Sequence, residues 1–392
     1  MGVIAERMNA ALTTVLSGVV VMVCLGGVYA WSIFVPPLKE NYGLSTAQTQ
    51  VIFGLLIAIF TVSMAFGRPL LSRYGPRVVA LLAGLVFLSG YALASVSGGR
   101  FPLLVAGIGG LAGIATGLGY LVSITVPVAF YPHRKGVVTG VASAGFGAGA
   151  IVLSYGAEYL FARGMDVLAV FLVIGLAYGA VIALGALGFS TPPLSDSRAE
   201  PVQSAGLLRD RRFIRLFVGI FTGTFAGLMV IGNLKPIGLL HQIENATLTT
   251  GVVVLSVANF AGRLFWGWLA DRVSGSVLIP LSLLLVGVLT LAIGALPLNG
   301  TLYLVLSVAV GFTFGANFVL YARETAQVYG LGNLARVYPL VFLGYGVSGA
   351  VGPSVGGFLY DLQGHYAGAA TLSVMLCVVV GLLQVWWQRS AE

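Results

Sequence analysis

The sequence predicts an all-α polytopic membrane protein with about twelve transmembrane helices in two six-helix halves. The first observation is composition: 58% of the 392 residues are hydrophobic, only 8% are charged, and the mean hydropathy is +1.00. Soluble domains carry about 25% charged residues. The second is a succession of long apolar runs, and the third is an uneven distribution of Lys and Arg between them.

The predicted spans follow from run length, because a helix needs about 20 apolar residues to cross a bilayer. The first run is too long for a cleavable signal peptide, so we expect it to remain as the first span. The runs lie at roughly 12–36, 51–71, 78–97, 102–130, 136–157, 167–189, 213–235, 249–270, 276–297, 301–322, 337–358 and 367–387.

The basic residues predict the orientation. With the N-terminus in the cytoplasm, about 15 of the 20 Lys and Arg fall at cytoplasmic ends of the spans and about 4 at outer ends. We therefore predict a multi-pass protein of the plasma (inner) membrane with both termini in the cytoplasm. The same bias accounts for the net charge of +8 without a nucleic-acid partner.

Composition changes once, between the sixth and seventh spans. Residues 190–215 are polar, charged and contain prolines. We take residues 190–212 as a cytoplasmic linker between an N-terminal six-helix bundle, residues 1–189, and a C-terminal one, residues 213–392.

Motifs for catalysis are absent from the sequence. It contains no Walker loop, its three histidines are far apart, and no nucleophile has an adjacent base. Cys24 and Cys377 offer neither a disulfide framework nor metal-ligand spacing. We expect no enzyme activity, no cofactor, no metal and no nucleotide.

One cation interrupts the eighth run. In VANFAGRLFWGWLADR, residues 257–272, Arg263 lies roughly halfway along the predicted span. A guanidinium at that depth costs about 2.5–3.5 kcal/mol or more, and it cannot lose its proton. We predict that Arg263 faces a cavity and holds a transported anion.

Two loops form a weak internal repeat: GRPLLSRYGPR at residues 67–77 and GWLADRVSGS at residues 267–276. They resemble the signature loop of the major facilitator superfamily, in which Asp and Arg tie helix ends together. The resemblance implies gating roles for Arg73, Asp271 and Arg272. Ser72 occupies the usual Asp position in the first copy, so we expect a weaker latch there.

Three further segments narrow the resemblance: GGVYAWSIFVPPLKE at 26–40, FYPHRKGVVTGVASAGFGAG at 130–149 and YGVSGAVGPSVGGFLYDLQGHY at 345–366. With GRLFWGWLADR they resemble the oxalate:formate antiporter and monocarboxylate transporter branch of that superfamily. The resemblance implies the superfamily fold and a carrier of small carboxylates that works by alternating access between two bundles.

The resemblance also implies a substrate site. Positions that match the branch imply substrate-binding roles for Arg263, Tyr29, Trp31, Tyr120 and Tyr321. Positions that depart from it are also proposed as pocket residues: Asn259, Asn317, Phe342 and Tyr345. Oxalate carriers of this kind hold a lysine where this chain has Tyr345. One cation suits one carboxylate, because the second carboxylate of oxalate would be buried without a partner. We predict a monocarboxylate such as lactate, pyruvate or formate.

The sequence supports two hypotheses for how transport is driven. Animal monocarboxylate carriers place an aspartate one turn before the arginine, where this chain has Asn259, which cannot titrate. The resemblance favours proton-linked transport, whereas the missing acid favours exchange of one anion for another, as in an oxalate:formate-type exchanger. The candidate proton carriers are His241, Lys235, Glu244 and Glu324. A third hypothesis, a non-transporting receptor, calls for a soluble signalling domain that the short tails do not supply. The expected partners are a small organic anion, protons and the lipid bilayer.

Overall fold

The structure, a computed structural model of the protein, describes residues 2–131, 135–191 and 204–389. Every regular element among these residues is helical, and twelve helices are long and apolar enough to cross a membrane. The predicted fold class is therefore confirmed. Most of the predicted linker, residues 192–203, lies outside the described part of the chain, so the linker at 190–212 stays a prediction.

The chain divides into two compact units. Unit 1 comprises Met1–Leu44 and Leu55–Asp196. Its main pairings are α1 with α7, α4 with α8 and α4 with α6. The helices are α1 (Gly2–Gly26), a 3-10 segment (Gly27–Ile33), α2 (Val35–Tyr42), α3 (Thr46–Phe66), α4 (Arg68–Ser95), α5 (Phe101–Leu104), a π-helical segment (Val105–Ala112), α6 (Gly113–Phe130), α7 (Lys135–Ala162) and α8 (Val167–Ala186).

Unit 2 comprises Ser45–Gly54 and Ser197–Glu392, so the first turns of α3 belong to it. Its main pairings are α10 with α15, α12 with α16 and α11 with α13. In each unit the first span thus packs on the fifth and the third on the sixth. The helices are α9 (Ser204–Leu207), α10 (Arg211–Leu239), α11 (Asn245–Ala270), α12 (Gly275–Ala295), α13 (Gly300–Phe314), α14 (Ala316–Tyr329), α15 (Leu331–Gln363) and α16 (Ala367–Arg389).

The two predicted signature loops are largely helical. α3 ends at Phe66 and α4 already begins at Arg68, so within residues 67–77 only Gly75, with φ 77° and ψ 169°, leaves the helical conformation. That positive φ is accessible to glycine at little cost. In the second copy α11 continues to Ala270, and Asp271 is its C-cap residue. The loops predicted at residues 67–77 and 267–276 are therefore shorter in the structure, because the flanking helices extend into both segments.

The seventh span also extends beyond its predicted end. Its helix, α10, continues to Leu239 with Pro236 inside it. Proline has no N–H to donate to the carbonyl four residues earlier, which is that of Gly232. Gln50 Nε2 donates to this oxygen instead, at 2.8 Å. Lys235 therefore lies within α10 and is only 6% exposed.

The same end of α3 is fixed at a second point in unit 2. The Asp361 carboxylate accepts the backbone N–H of Thr46 at 3.1 Å and of Ala47 at 2.8 Å. These are first-turn N–H groups that have no partner within the helix. A carboxylate there also interacts favourably with the helix dipole.

A polar cluster in unit 1 joins α2 to α8. Asp166 is the N-cap of α8: its carboxylate accepts the Leu168 N–H at 2.9 Å, Tyr42 Oη at 2.6 Å and Asn41 Nδ2 at 3.3 Å. Burial alone would raise the pKa of Asp166, but these hydrogen bonds to its charged form outweigh burial and lower the pKa below its usual 3.8. Burial and the adjacent carboxylate raise the pKa of Tyr42 to about 12.

Candidate functional site

Arg263, the central residue of the candidate site, lies on α11. The helix runs from Asn245 to Ala270, so Arg263 is nearer its C-terminal end than the predicted midpoint. At about 1.5 Å per residue it lies roughly 8 Å past the middle of the helix. The prediction of a halfway position was inaccurate because α11 begins several residues before the apolar run. In a hydrocarbon core about 30 Å thick, a helix centred in the membrane would still hold Arg263 inside that core.

The direction of the side chain matters more than the position of its Cα atom. Helical side chains lean toward the N-terminus, and Arg263 Nε donates to Asn259 Oδ1, one turn earlier, at 3.2 Å. The guanidinium therefore points back toward the middle of the helix, not out to the nearer end as a snorkelling arginine would. No described carboxylate forms an ion pair with it.

Close backbone packing holds this turn of α11 in place. Gly315 lies between α13 and α14, with φ −57° and ψ −28°. A Cβ atom on Gly315 would lie 2.5 Å from the Asn259 carbonyl oxygen and 2.9 Å from the Arg263 backbone nitrogen. Only a residue without a side chain permits this approach, so Gly315 sets the position of both polar residues.

An aromatic cluster of unit 2 lies on one side of the guanidinium. Arg263 Cζ lies 4.2 Å from the centroid of the Phe318 ring, a distance at which a cation–π interaction is favourable. The Phe318 ring in turn contacts Tyr345, with centroids 5.4 Å apart, and Phe342, 6.0 Å apart. Arg263 thus contacts Asn259 directly and is linked to Phe342 and Tyr345 through Phe318. Sequence reasoning missed Phe318.

Two predicted residues of unit 1 lie in a second aromatic cluster. Tyr29, on the 3-10 segment, meets Phe146 edge-on at 5.6 Å, and Tyr120 meets the same ring at 5.4 Å. Phe60 contacts both Tyr120 and Phe146. Sequence reasoning missed Phe60 and Phe146, although Phe146 lies within a segment that carried the family resemblance.

Three predicted residues lie elsewhere. Trp31 packs on Phe34, with ring centroids 6.0 Å apart. The buried side chain of Asn317 lies against Gly223 of α10, and the ring of Tyr321 lies against Gly219 of the same helix. Both are thus directed into the interior of unit 2. Among the described residues, neither side chain forms a hydrogen bond with Arg263.

The four candidate proton carriers differ in environment. Glu324 Oε1 pairs with Arg215 Nη2 at 2.7 Å, and both side chains are largely buried. His241 Nδ1 accepts the Leu298 N–H at 3.4 Å. Glu244 is the exposed N-cap residue of α11 and makes no side-chain cap hydrogen bond. Lys235 is buried, as described above, and is not free.

The predicted gating residues are exposed. Arg73 lies over the Tyr74 ring at 5.3 Å, and Arg272 lies over the Trp268 ring at 4.0 Å with a hydrogen bond to the Trp268 carbonyl at 3.0 Å. Asp271 makes no ion pair with a described residue. Their gating role stays a prediction.

Twelve apolar helices and the same pairing of spans in both units define the class: a polytopic membrane protein with the architecture of secondary carriers. The comparison with known families agrees, because a profile described as Major Facilitator Superfamily matches residues 16–338. The chain belongs to this superfamily.

Similarity to individual proteins is lower but covers most of the chain. An uncharacterized MFS-type transporter, YhjX of Escherichia coli, is 28% identical over 85% of this chain and 84% of its own length. The oxalate:formate antiporter of Oxalobacter formigenes is 26% identical over 82% of this chain and 78% of its own length. Monocarboxylate transporter 11 of Mus musculus is 26% identical over 85% and 77%.

Among solved structures, a bacterial homolog of the human lysosomal transporter Spinster, in an inward-facing and unoccupied conformation, matches with a TM-score of 0.72. It covers 97% of this chain and 94% of its own, at 14% identity. This match supports the fold alone. The chain is thus a superfamily transporter related to the oxalate:formate antiporter and to monocarboxylate transporters.

Proposed function

We propose that this protein is a secondary transporter of small monocarboxylates, similar in size to lactate, pyruvate or formate, and that Arg263 binds the carboxylate. One observation carries the proposal. A permanent cation inside a membrane span points toward the middle of its helix, held by Asn259 and Phe318, and has no carboxylate partner among the described residues. A charge in that setting is costly unless it is matched, and a transported anion would match it.

The surroundings of Arg263 favour one carboxylate over two. The side chains in its cluster, Phe318, Phe342 and Tyr345, are aromatic, and Tyr345 stands where the related oxalate carriers are expected to hold a lysine. A dicarboxylate would bury its second charge without compensation. The named substrates of the relatives, oxalate, formate and monocarboxylates, support an organic anion as cargo.

Uptake into proteoliposomes tests the proposal. The wild-type protein is expected to accumulate labelled lactate, pyruvate or formate, whereas Arg263→Ala and Arg263→Lys are expected to abolish uptake at normal expression. Lysine is included because its ammonium lacks the planar fork of donors that fits a carboxylate. Arg163→Ala is the matched control, since Arg163 is exposed and its guanidinium lies over the Tyr159 ring of unit 1. Substantial uptake by well-folded Arg263→Ala would contradict the site.

We further propose that transport is coupled to protons and that Glu324 is the proton-carrying group. Among the four candidates, Glu324 combines a titratable carboxyl with burial inside a span and a partner, Arg215, that can release it. The buried Tyr321 hydroxyl and Arg215 Nε have no hydrogen-bond partner among the described residues, so polar groups are present for a rearranged state. Glu324→Gln is expected to abolish uptake driven by a pH gradient while leaving anion exchange intact. Loss of both, or of neither, would contradict this assignment.

A second candidate function is exchange of one anion for another, and Asn259 favours it. Without an acid beside Arg263, the empty site leaves an unneutralised cation during the return step, which slows return. The two functions separate in proteoliposomes. An exchanger requires an anion on the opposite side, whereas a symporter responds to an imposed pH gradient alone.

In the cell we propose a plasma-membrane location with both termini in the cytoplasm. The distribution of Lys and Arg supports this orientation. Arg73, Asp271 and Arg272 would then lie at the cytoplasmic surface, where we propose that they take part in closing the carrier. Labelling of single cysteines introduced at the two termini with a membrane-impermeant reagent, in intact and in opened cells, tests the orientation.

A further inference from the structure

We propose that Phe318 is a positioning residue for Arg263. Its ring covers one face of the guanidinium, and together with Asn259 it orients the cation so that the substrate carboxylate is met by the terminal Nη groups. This inference rests on the proposed function and adds the direction from which the carboxylate binds.

The guanidinium is constrained at two places. Arg263 Nε donates to Asn259 Oδ1 at 3.2 Å, and Arg263 Cζ lies 4.2 Å from the Phe318 ring centroid. The first contact fixes the edge of the planar group that carries Nε. The second covers one of its two faces. A flexible arginine side chain loses much of its rotational freedom when both contacts form.

The Phe318 ring is itself well held, which a positioning residue requires. Phe314, one turn earlier on the same span, meets it edge-on at 5.3 Å. Tyr345 meets it edge-on at 5.4 Å from α15. The Tyr338 hydroxyl donates to the Phe318 carbonyl oxygen at 3.1 Å, which ties the backbone of α14 to α15.

The remaining donors define how a ligand can bind. A guanidinium has five N–H groups, one on Nε and four on the two Nη atoms. Carboxylates bind arginine through two parallel N–H donors, either along the Nε side or across the Nη end. Because Asn259 occupies Nε and Phe318 covers one face, the Nη end remains for the carboxylate. The site therefore suits a carboxylate that binds end-on in the plane of the guanidinium.

The expected effect of losing the ring follows from the strength of such contacts. Cation–π interactions at partly buried sites correspond to about a 2- to 30-fold change in an equilibrium constant. Phe318→Leu keeps an apolar side chain but removes the π-face, so KM for the carboxylate is expected to rise within that range. The maximal transport rate is expected to stay within about twofold, because the guanidinium charge that binds the substrate remains.

The experiment measures KM and maximal rate in proteoliposomes with the best transported of lactate, pyruvate and formate. Phe318→Tyr keeps the π-face and is expected to retain the wild-type KM. The matched control is Phe312→Leu. Phe312 lies on the same span, and its ring contacts Phe265 at 5.2 Å; among the described residues this ring forms no cation–π contact with Arg263 and no ring contact with Phe318, Phe342 or Tyr345. An equal rise in KM for Phe312→Leu would overturn the proposal.

A graded series separates cation–π attraction from packing. Replacing Phe318 with mono-, di- and trifluorinated phenylalanine preserves shape while weakening the negative face of the ring. KM is expected to rise stepwise with fluorination. An unchanged KM across the series would overturn the proposal. These near-isosteric variants also test the proposal if Phe318→Leu does not fold. Loss of uptake in Arg263→Ala with a flat series refutes only the role of Phe318, whereas full uptake by Arg263→Ala refutes the proposed function itself.

Discussion

Gly315 offers a direct way to displace the site without changing any side chain in it. Its φ of −57° and ψ of −28° are ordinary helical values, so alanine fits the backbone there. The obstacle is steric. The added Cβ would lie 2.5 Å from the Asn259 carbonyl oxygen, whereas ordinary contacts begin at 3.4 Å. Gly315→Ala must therefore push this turn of α11 away by about 0.9 Å, the difference between those two distances.

The displaced turn carries both polar residues of the site. A misplacement of about 1 Å can reduce the rate of a positioned reaction by roughly 100-fold. We expect Gly315→Ala to lower the transport efficiency, the maximal rate divided by KM, by about 10- to 100-fold. Overpacking of this kind also destabilises a fold by about 1–3 kcal/mol, so the melting temperature should fall measurably.

The assay is initial uptake into proteoliposomes reconstituted with equal amounts of folded protein. Gly381→Ala is the matched control. Gly381 also lies within a helix of unit 2, but its added Cβ would lie 3.8 Å from the nearest atom, the Pro280 carbonyl oxygen. Gly381→Ala is expected to transport like wild type. Wild-type efficiency in Gly315→Ala would refute the reasoning that backbone packing at Gly315 sets the position of Arg263.

Three further predictions follow from other contacts. Asn259→Asp introduces an acid beside the site cation, so uptake at neutral pH should fall at least about tenfold and recover on acidification; pH-independent uptake would contradict this. Gln50→Ala leaves a buried carbonyl of α10 without its donor, so thermal unfolding should show a loss of about 1–3 kcal/mol, and no loss would contradict it. The raised pKa of Tyr42 means that the stability it contributes is present below pH 10 and is lost as pH rises toward about 12. Melting temperatures across that range should therefore fall more for wild type than for Tyr42→Phe, and equal falls would contradict the contact with Asp166.

Much of the fold could be predicted because bilayer thickness fixes the length of each span. The lengths of the apolar runs predicted the twelve helices. Helix interruptions were harder to predict. Pro236 predicts a helix end from sequence, yet α10 continues past it. Gln50, nearly 190 residues away in sequence, donates the hydrogen bond to the Gly232 carbonyl that the proline cannot donate. The close approach of Gly315, between α13 and α14, to α11 is likewise a tertiary contact that no local pattern reveals.

The relation between Arg263 and Asn259 could be predicted from their spacing, whereas the contacts of the tenth span depend on helix register. Arg263 and Asn259 are four residues apart on one helix face, and the structure joins them by a hydrogen bond. On the tenth span the prediction selected Asn317 and Tyr321 for their polar groups. The residue that contacts the guanidinium is Phe318, one position after Asn317 and therefore about 100° around the helix. A search for polar groups passed over this residue because the cation is met by a π-face and not by a hydroxyl.

Equilibrium binding to purified protein tests the central claim most directly. Pyruvate is titrated into wild type, Arg163→Ala and Arg263→Ala, with acetate, lactate, oxalate and an aromatic acid as competitors. We expect wild type and Arg163→Ala to bind pyruvate with the same Kd. Arg263→Ala should bind at least about 100-fold more weakly, because the guanidinium that pairs with the pyruvate carboxylate is lost. Binding to folded Arg263→Ala with the wild-type Kd would contradict the account.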